Sequence, residues 1–146
     1  MKKKKVIVLV EDDDLDADLI TRELKKNQFP LEVLRLTNGQ ELMDYLDAND
    51  LENLVGIWMD LNMPKVGGLD SLKWLRSSEK YHSLPVIVLS SSKNERDIIA
   101  SYQLGANAYV SKPVNRQEFQ KTMEAMVQFW GQVNLTPNLR EIRQNT

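Results

Sequence analysis

A chain of 146 residues has room for one compact domain around one core. Its 19 Lys and Arg stand against 21 Asp and Glu, a formal charge of -2, so balance gives no argument for nucleic acid as an obligatory partner. There is no cysteine, which excludes disulfides and thiolate metal sites and fits a reducing cytoplasm.

Met1–Lys5 is basic, but the apolar run behind it, Val6–Val10, is interrupted at once by Glu11–Asp14. That run is too short for a signal segment or a membrane span, so a cytoplasmic protein without a membrane partner is expected. Lys2–Lys5 reads as a solvated lead-in to a buried strand, because four lysines alone specify neither a membrane nor a nucleic acid.

In chain order, Val6–Val10 predicts a strand that is apolar on both faces. Leu15–Lys26 predicts a helix with Leu15, Leu19, Ile20 and Leu24 on one side. Leu31–Leu36 alternates as a second strand. Asn38 then caps a helix that runs to about Asn49, with Glu41 at its third position as in a capping box. Val55–Met59 is the third strand, and Leu69–Ser77 is a helix behind Gly67 and Gly68. Pro85–Leu89 is the fourth strand. Ser92 and Glu95 predict a second capping box, for a helix ending at Gly105. Ala108–Val110 is a short fifth strand. Asn115 and Glu118 cap a last helix with the stripe Phe119, Met123, Met126, Val127 and Trp130. Residues 131–146 are polar and broken by Pro137, so they read as a tail on a domain of residues 1–130. Strict alternation of apolar strands with helices implies a parallel sheet covered on both faces, a doubly wound α/β fold. The strand order does not follow from the pattern.

In such a sheet, ligands sit beyond the carboxyl ends of the strands. Those ends carry Glu11-Asp12-Asp13, Asp60 with Leu61-Asn62-Met63-Pro64 behind it, Ser90, and Lys112-Pro113. Carboxylates gathered so closely repel one another, and a hard divalent cation relieves the repulsion. Oxygen donors without Cys or a suitable His favour magnesium over zinc. Magnesium beside a carboxylate can also bind an incoming phosphoryl group. Lys112 adds a second positive charge and Ser90 a hydroxyl, so the assembly suits a phosphoryl group carried on an aspartate.

The strings VLVEDD, MDLNMPKVGG, VIVLSSS and AYVSKPV, in this order, resemble the receiver domain of two-component response regulators from about Val6 to Trp130. The resemblance implies a flavodoxin-like sheet with strand order 2-1-3-4-5. It implies that Asp60 is the phosphoacceptor, served by a histidine kinase and by Mg2+. Glu11 and Asp12 then form the acidic pair, Asp12 binding the metal directly and Glu11 through water, and Asn62 gives its backbone carbonyl to the metal. Ser90 is the switch hydroxyl, Tyr109 the aromatic switch, and Lys112 the lysine that meets the phosphoryl group. The family also has a cis peptide at the position of Lys112–Pro113. Asn62 and Ser92 lie two residues beyond Asp60 and Ser90, where they are expected to tune dephosphorylation. Such a protein catalyses only its own phosphorylation and dephosphorylation. About sixteen residues after Trp130 are too few for a DNA-binding module. Output is therefore expected through a protein target, a phosphotransfer histidine protein or homodimerisation. The ending Phe129-Trp130 resembles the regulators that pair with bacterial phytochrome kinases, and one of these two rings is expected to stay uncovered on a dimer-forming face with the fourth helix and fifth strand.

Other readings fare worse. Asp12, Asp14, Asp16, Asp18 and Glu23 mimic a calcium loop, but Ala17 stands where a glycine is needed, so Asp13, Asp14, Asp16 and Asp18 read as helix-start residues favoured by the dipole. A haloacid-dehalogenase-like hydrolase needs a second acid two residues after the nucleophile, where Asn62 stands. A flavin carrier needs a phosphate loop that the acidic run 11–14 would repel. His82 is assigned no chemistry, and Trp58 and Trp74 read as packing residues.

Overall fold

The computed structural model describes residues 4–26 and 30–136. The elements alternate: β1 (Lys5–Val10), α1 (Asp14–Lys25), β2 (Leu31–Leu36), α2 (Gly39–Ala48), β3 (Leu54–Met59), α3 (Gly68–Ser77), β4 (Val86–Ser90), α4 (Glu95–Gln103), β5 (Ala108–Ser111) and α5 (Arg116–Gln128). The five strands form one parallel sheet in the order β2-β1-β3-β4-β5, the flavodoxin-like arrangement.

The period of two along each strand divides the core. Val8, Val10, Ile57, Met59, Val86 and Val88 face one side, against Leu42 and Leu46 of α2 and Leu72 and Leu75 of α3. Ile7, Leu9, Trp58, Ile87 and Leu89 face the other, against α1 and α5. Each fully buried Leu, Ile or Val contributes about 1.5–3 kcal/mol, so a slip of one residue in any central strand would invert both layers. The α5 stripe Phe119, Met123, Met126, Val127 and Trp130 packs as its spacing predicts.

Three local expectations are corrected. The buried side of α1 is Ala17, Ile20 and Leu24, whereas Leu15 is 67% exposed. At 3.6 residues per turn, position 15 lies about 180–200° around the helix from Leu24 and Ala17, so it points away from the buried side. The cap of α4 is Asn94, whose side chain accepts from Arg96 N. Ser92 lies in the preceding loop, where its hydroxyl donates to Asp97 at 2.6 Å, so the nearer amide wins the helix end. The Lys112–Pro113 peptide is trans, since no described bond is cis. Trans is the intrinsically favoured isomer by about 0.5–1 kcal/mol, and with it Lys112 N still donates to Ser90 O at 2.8 Å.

The other caps hold. Asn38 accepts from Glu41 N, and Glu41 reaches back to Thr37 N at 2.7 Å, one residue before the cap. Asn115 accepts from Gln117 N and Glu118 N. Gly105 has φ +103°, as a residue closing a helix requires. The boundary expected at residue 130 falls within a π-helical turn, Phe129–Val133, which continues α5. Gly131 O of that turn accepts from Lys5 Nζ. Met1–Lys3 and Pro137–Thr146, including the rest of the expected tail, lie outside the described residues.

Candidate functional site

Sheet register builds the site. Val10 pairs with Met59, so the next residues, Glu11 and Asp60, leave neighbouring strands side by side. Asp60 N donates to Val10 O at 3.1 Å and Glu11 N to Leu36 O at 2.9 Å, which fixes both backbones past the last ladder pairs. On the far side Ser90 pairs with Ser111, and Lys112 follows.

The loop after β3 is folded back tightly. Gly68 N donates to Leu61 O at 2.9 Å. A Cβ at Gly68 would lie 2.5 Å from Asp60 O and 2.7 Å from Leu61 Cα, so the second glycine of MDLNMPKVGG is a spatial requirement for seating Asp60. Leu61 N donates to Asp60 Oδ1 at 2.7 Å.

Lys112, 8% exposed, projects its ammonium into a ring of acids. Nζ donates to Glu11, to Asp16 Oδ2 at 2.9 Å and to Asp60 Oδ2 at 3.2 Å. Glu11, Asp12 and Asp60 each offer one carboxylate oxygen, and these oxygens lie within 4.8 Å of one another. Glu11 and Asp60 are buried and Asp12 is exposed, so the cluster opens to solvent on one side. Burial pushes Glu11 up to about 7, reinforced by the charge of Asp60 and opposed by the ammonium of Lys112. Burial works to lower Lys112, but its hydrogen bonds to Glu11 and Asp16 and the charge of Asp60 hold it above the ordinary lysine range. The ammonium therefore stays charged, and Glu11 is the group that yields.

The structure brings Glu11, Asp12, Asp60 and Lys112 together as the sequence reading expects, and adds Asp16. That residue reads from sequence as a helix-start acid. Its N–H is indeed held by the cap, Asp13 Oδ1, at 2.9 Å, but its carboxylate faces Lys112. The available signal was its place in the first turn of α1, just behind the acidic end of β1.

Ser90 is fully buried, and its hydroxyl accepts from Ser92 N at 3.2 Å. Tyr109 donates its hydroxyl to Ser92 O at 2.7 Å, and its backbone N donates to Tyr102 Oη at 3.2 Å. The ring lies partly buried against the α2–α3 side of the core. Asn62 is exposed on the loop beyond Asp60. The Ser92 hydroxyl is engaged with Asp97, in the first turn of α4, and with the N-cap amide Asn94 N. His82 caps a local turn, with Nδ1 near Ser78 O and Glu79 O, and takes no part in the site.

An acid pocket at the carboxyl edge of a 2-1-3-4-5 parallel sheet, faced by one lysine, defines a class of signalling domain. Residues 7–124 match the response regulator receiver domain, and the chain belongs to that family. It is 35% identical over 130 residues to response regulator Rcp1 of Synechocystis sp., spanning 86% of this chain and 88% of that protein. It is 31% identical over 137 residues to the probable methanogenesis regulatory protein FilR2 of Methanothrix harundinacea, spanning 90% and 87%. Among solved structures, the phosphorylated cyanobacterial phytochrome response regulator RcpA superposes with a TM-score of 0.84 at 33% identity, covering 92% of this chain and 99% of that one. The Mn2+-bound form of Rcp1 gives 0.82 at 34% identity, covering 91% and 99%. No described helix is long and apolar enough to cross a membrane.

Proposed function

We propose that this receiver accepts a phosphoryl group on Asp60 from the phosphohistidine of a sensor histidine kinase, with Mg2+ as cofactor. The observation that carries the reading is the seating of Asp60 between an acid cluster and a buried ammonium. Two similar structures are a phosphorylated phytochrome regulator and a Mn2+-bound one, which supports a phytochrome-like kinase as partner and a divalent cation at the acids.

The donor set fits magnesium. Glu11, Asp12 and Asp60 are hard oxygen donors, and the cluster contains neither imidazole nor thiolate. Asp12, Asp60 and the Asn62 carbonyl would hold the ion, with Glu11 acting through water. When bound, magnesium neutralises charge on the phosphoryl oxygens. The protein's own part is positional. A carboxylate oxygen of Asp60 attacks phosphorus in line, the O–P bond forms as the P–N bond to the kinase imidazole breaks, and the electron pair leaves with that imidazole. Lys112 donates to a phosphoryl oxygen as charge moves toward Asp60. Water later cleaves the acyl phosphate, releasing inorganic phosphate and restoring the carboxylate, with Asn62 and Ser92 flanking its approach. The protein turns over no other substrate.

Phosphorylation draws Ser90 toward the phosphoryl oxygens. Tyr109, now tied to Ser92 O, follows, which biases the surface of α4 and β5 between two states. Output then passes to a protein target or phosphotransfer histidine protein, or through a homodimer, in the cytoplasm. We place the receiver at residues 1–130 and the tail at 131–146, with the turn Phe129–Val133 running across the boundary. Acetyl phosphate with Mg2+ is expected to add one phosphoryl group, read by intact-mass spectrometry, that EDTA and Asp60→Asn abolish. Persistent labelling of Asp60→Asn would sink the assignment.

A further inference from the structure

Resting on that reading, we propose that Asp16 is a counter-charge that holds Lys112 back from Asp60 and so shortens the life of a phosphoryl group carried there. Among the described residues Lys112 has three acidic partners, and its contact with Asp60, at 3.2 Å, is longer than that with Asp16, at 2.9 Å. The two partners other than Asp60 differ in kind. Glu11 belongs to the oxygen cluster suited to a cation, whereas Asp16 stands outside it. A cation at the cluster offsets the charge of Glu11 and of Asp60 alike, and Asp16 is the partner of Lys112 whose charge it leaves in place.

The local structure makes Asp16 a fixed competitor. It is the third residue of α1, and the capping contact from Asp13 sets the backbone of that turn. Its side chain is 39% exposed, against 8% for Lys112, so the pair straddles the edge of the site. Asp16 and Lys112 also share a groove with Leu19, Arg22, Pro113 and Arg116, which leaves the carboxylate reachable by solvent and salt. A phosphoryl group on Asp60 depends on a donated hydrogen bond from Lys112 to offset its negative charge. A carboxylate that keeps part of the ammonium's bonding weakens that offset. Asp16 acts through Lys112, as a positioning residue.

The test is the hydrolysis rate of Asp60-phosphorylated protein in excess Mg2+, prepared from acetyl phosphate, for wild type, Asp16→Asn and Asp16→Ala. Both variants should lengthen the phosphoryl half-life roughly two- to five-fold, the range open to a partly exposed ion pair. Asn keeps the hydrogen-bond acceptor but loses the charge, so agreement between the two variants assigns the effect to charge. Raising ionic strength should narrow the gap to wild type. The gap should also vanish in a Lys112→Ala background followed by beryllofluoride affinity, a readout that a purely structural defect in α1 would leave unchanged. An unaltered half-life, a shorter one, or wild-type behaviour restored by Asn but not Ala overturns the proposal. Failure of the wild type itself to take up a phosphoryl group overturns the reading of Asp60 instead.

Discussion

Glu11 makes the strength of cation binding depend on pH, with a magnitude set by its burial. In the metal-free protein its carboxyl is pushed up to about 7 from 4.5, first by desolvation and then by Asp60. A cation at the cluster requires the ionised form, so binding below pH 7 must expel a proton. Between pH 8 and pH 5.5 the ionised fraction of a group titrating near 7 falls roughly 30-fold, about 2 kcal/mol of apparent affinity. Titration calorimetry with Mg2+ across that range should show this loss, with close to one proton released per ion at the acid end. Glu11→Gln should flatten the slope, whatever it does to affinity. The stability of the metal-free protein runs the other way. A raised carboxyl binds more protons folded than unfolded, so its contribution is fully present below 4.5 and is lost as pH rises toward about 7. Saturating Mg2+ should therefore raise the melting temperature more at pH 8 than at pH 5.5. An affinity that is constant from pH 5.5 to 8 would refute the reasoning, because it would mean that Glu11 is already ionised or does not face the ion.

Other variants probe the frame around the site. Gly68→Ala should reduce acetyl-phosphate labelling by about ten-fold, since overpacking against the Asp60 backbone costs about 1–3 kcal/mol. Gly67→Ala, whose nearest contact would be 3.3 Å, should be milder, and equal effects would show that the close approach at Gly68 does not seat Asp60. Arg76 donates to Gly105 O, His82 O and Leu84 O at 2.8 Å and to Asn107 Oδ1 at 2.9 Å, tying α3 to the start of β4 and the entry to β5. Arg76→Ala should cost about 2–4 kcal/mol, roughly 6–12 °C in melting temperature, by thermal unfolding. Phe129 is 48% exposed while its neighbour Trp130 packs on the core, and Ile99 and Tyr102 of α4 are about half exposed. Light scattering should then find a homodimer that Phe129→Ala weakens, and a strict monomer with and without beryllofluoride would remove that surface from consideration.

The elements were legible because the sheet is buried on both faces. Strands such as β4 carry short β-branched apolar runs, VIVL, whereas helices such as α5 are longer and keep one stripe, so length and composition separate the two. Strand order was legible only through resemblance, since no side-chain pattern states which strand neighbours which. Failures cluster where two local explanations compete. Ser92 and Asn94 are both capping residues, and the path of the chain after Ser90 decides between them. Leu15 is more apolar than Ala17, yet it stands on the opposite face of the helix from Ala17 and Leu24, and facing outweighs hydrophobicity.

Asp16 shows the limit most sharply. Four acids near the start of α1 are fully accounted for by the helix dipole and the cap, and that account is correct for Asp13, whose side chain accepts from Asp16 N. A sufficient local reason leaves no residual to prompt a search for a partner 96 residues away at Lys112. The distinction lies in geometry. Asp14 pairs with Arg35 and Asp18 with Arg22, both largely in solvent, whereas the carboxylate of Asp16 sits on the edge of the pocket between them. Only one acid of the run, the third residue of α1, is aimed at the chemistry. That place in the first turn, read together with a lysine just after β5, is the sequence signal from which the contact can be inferred.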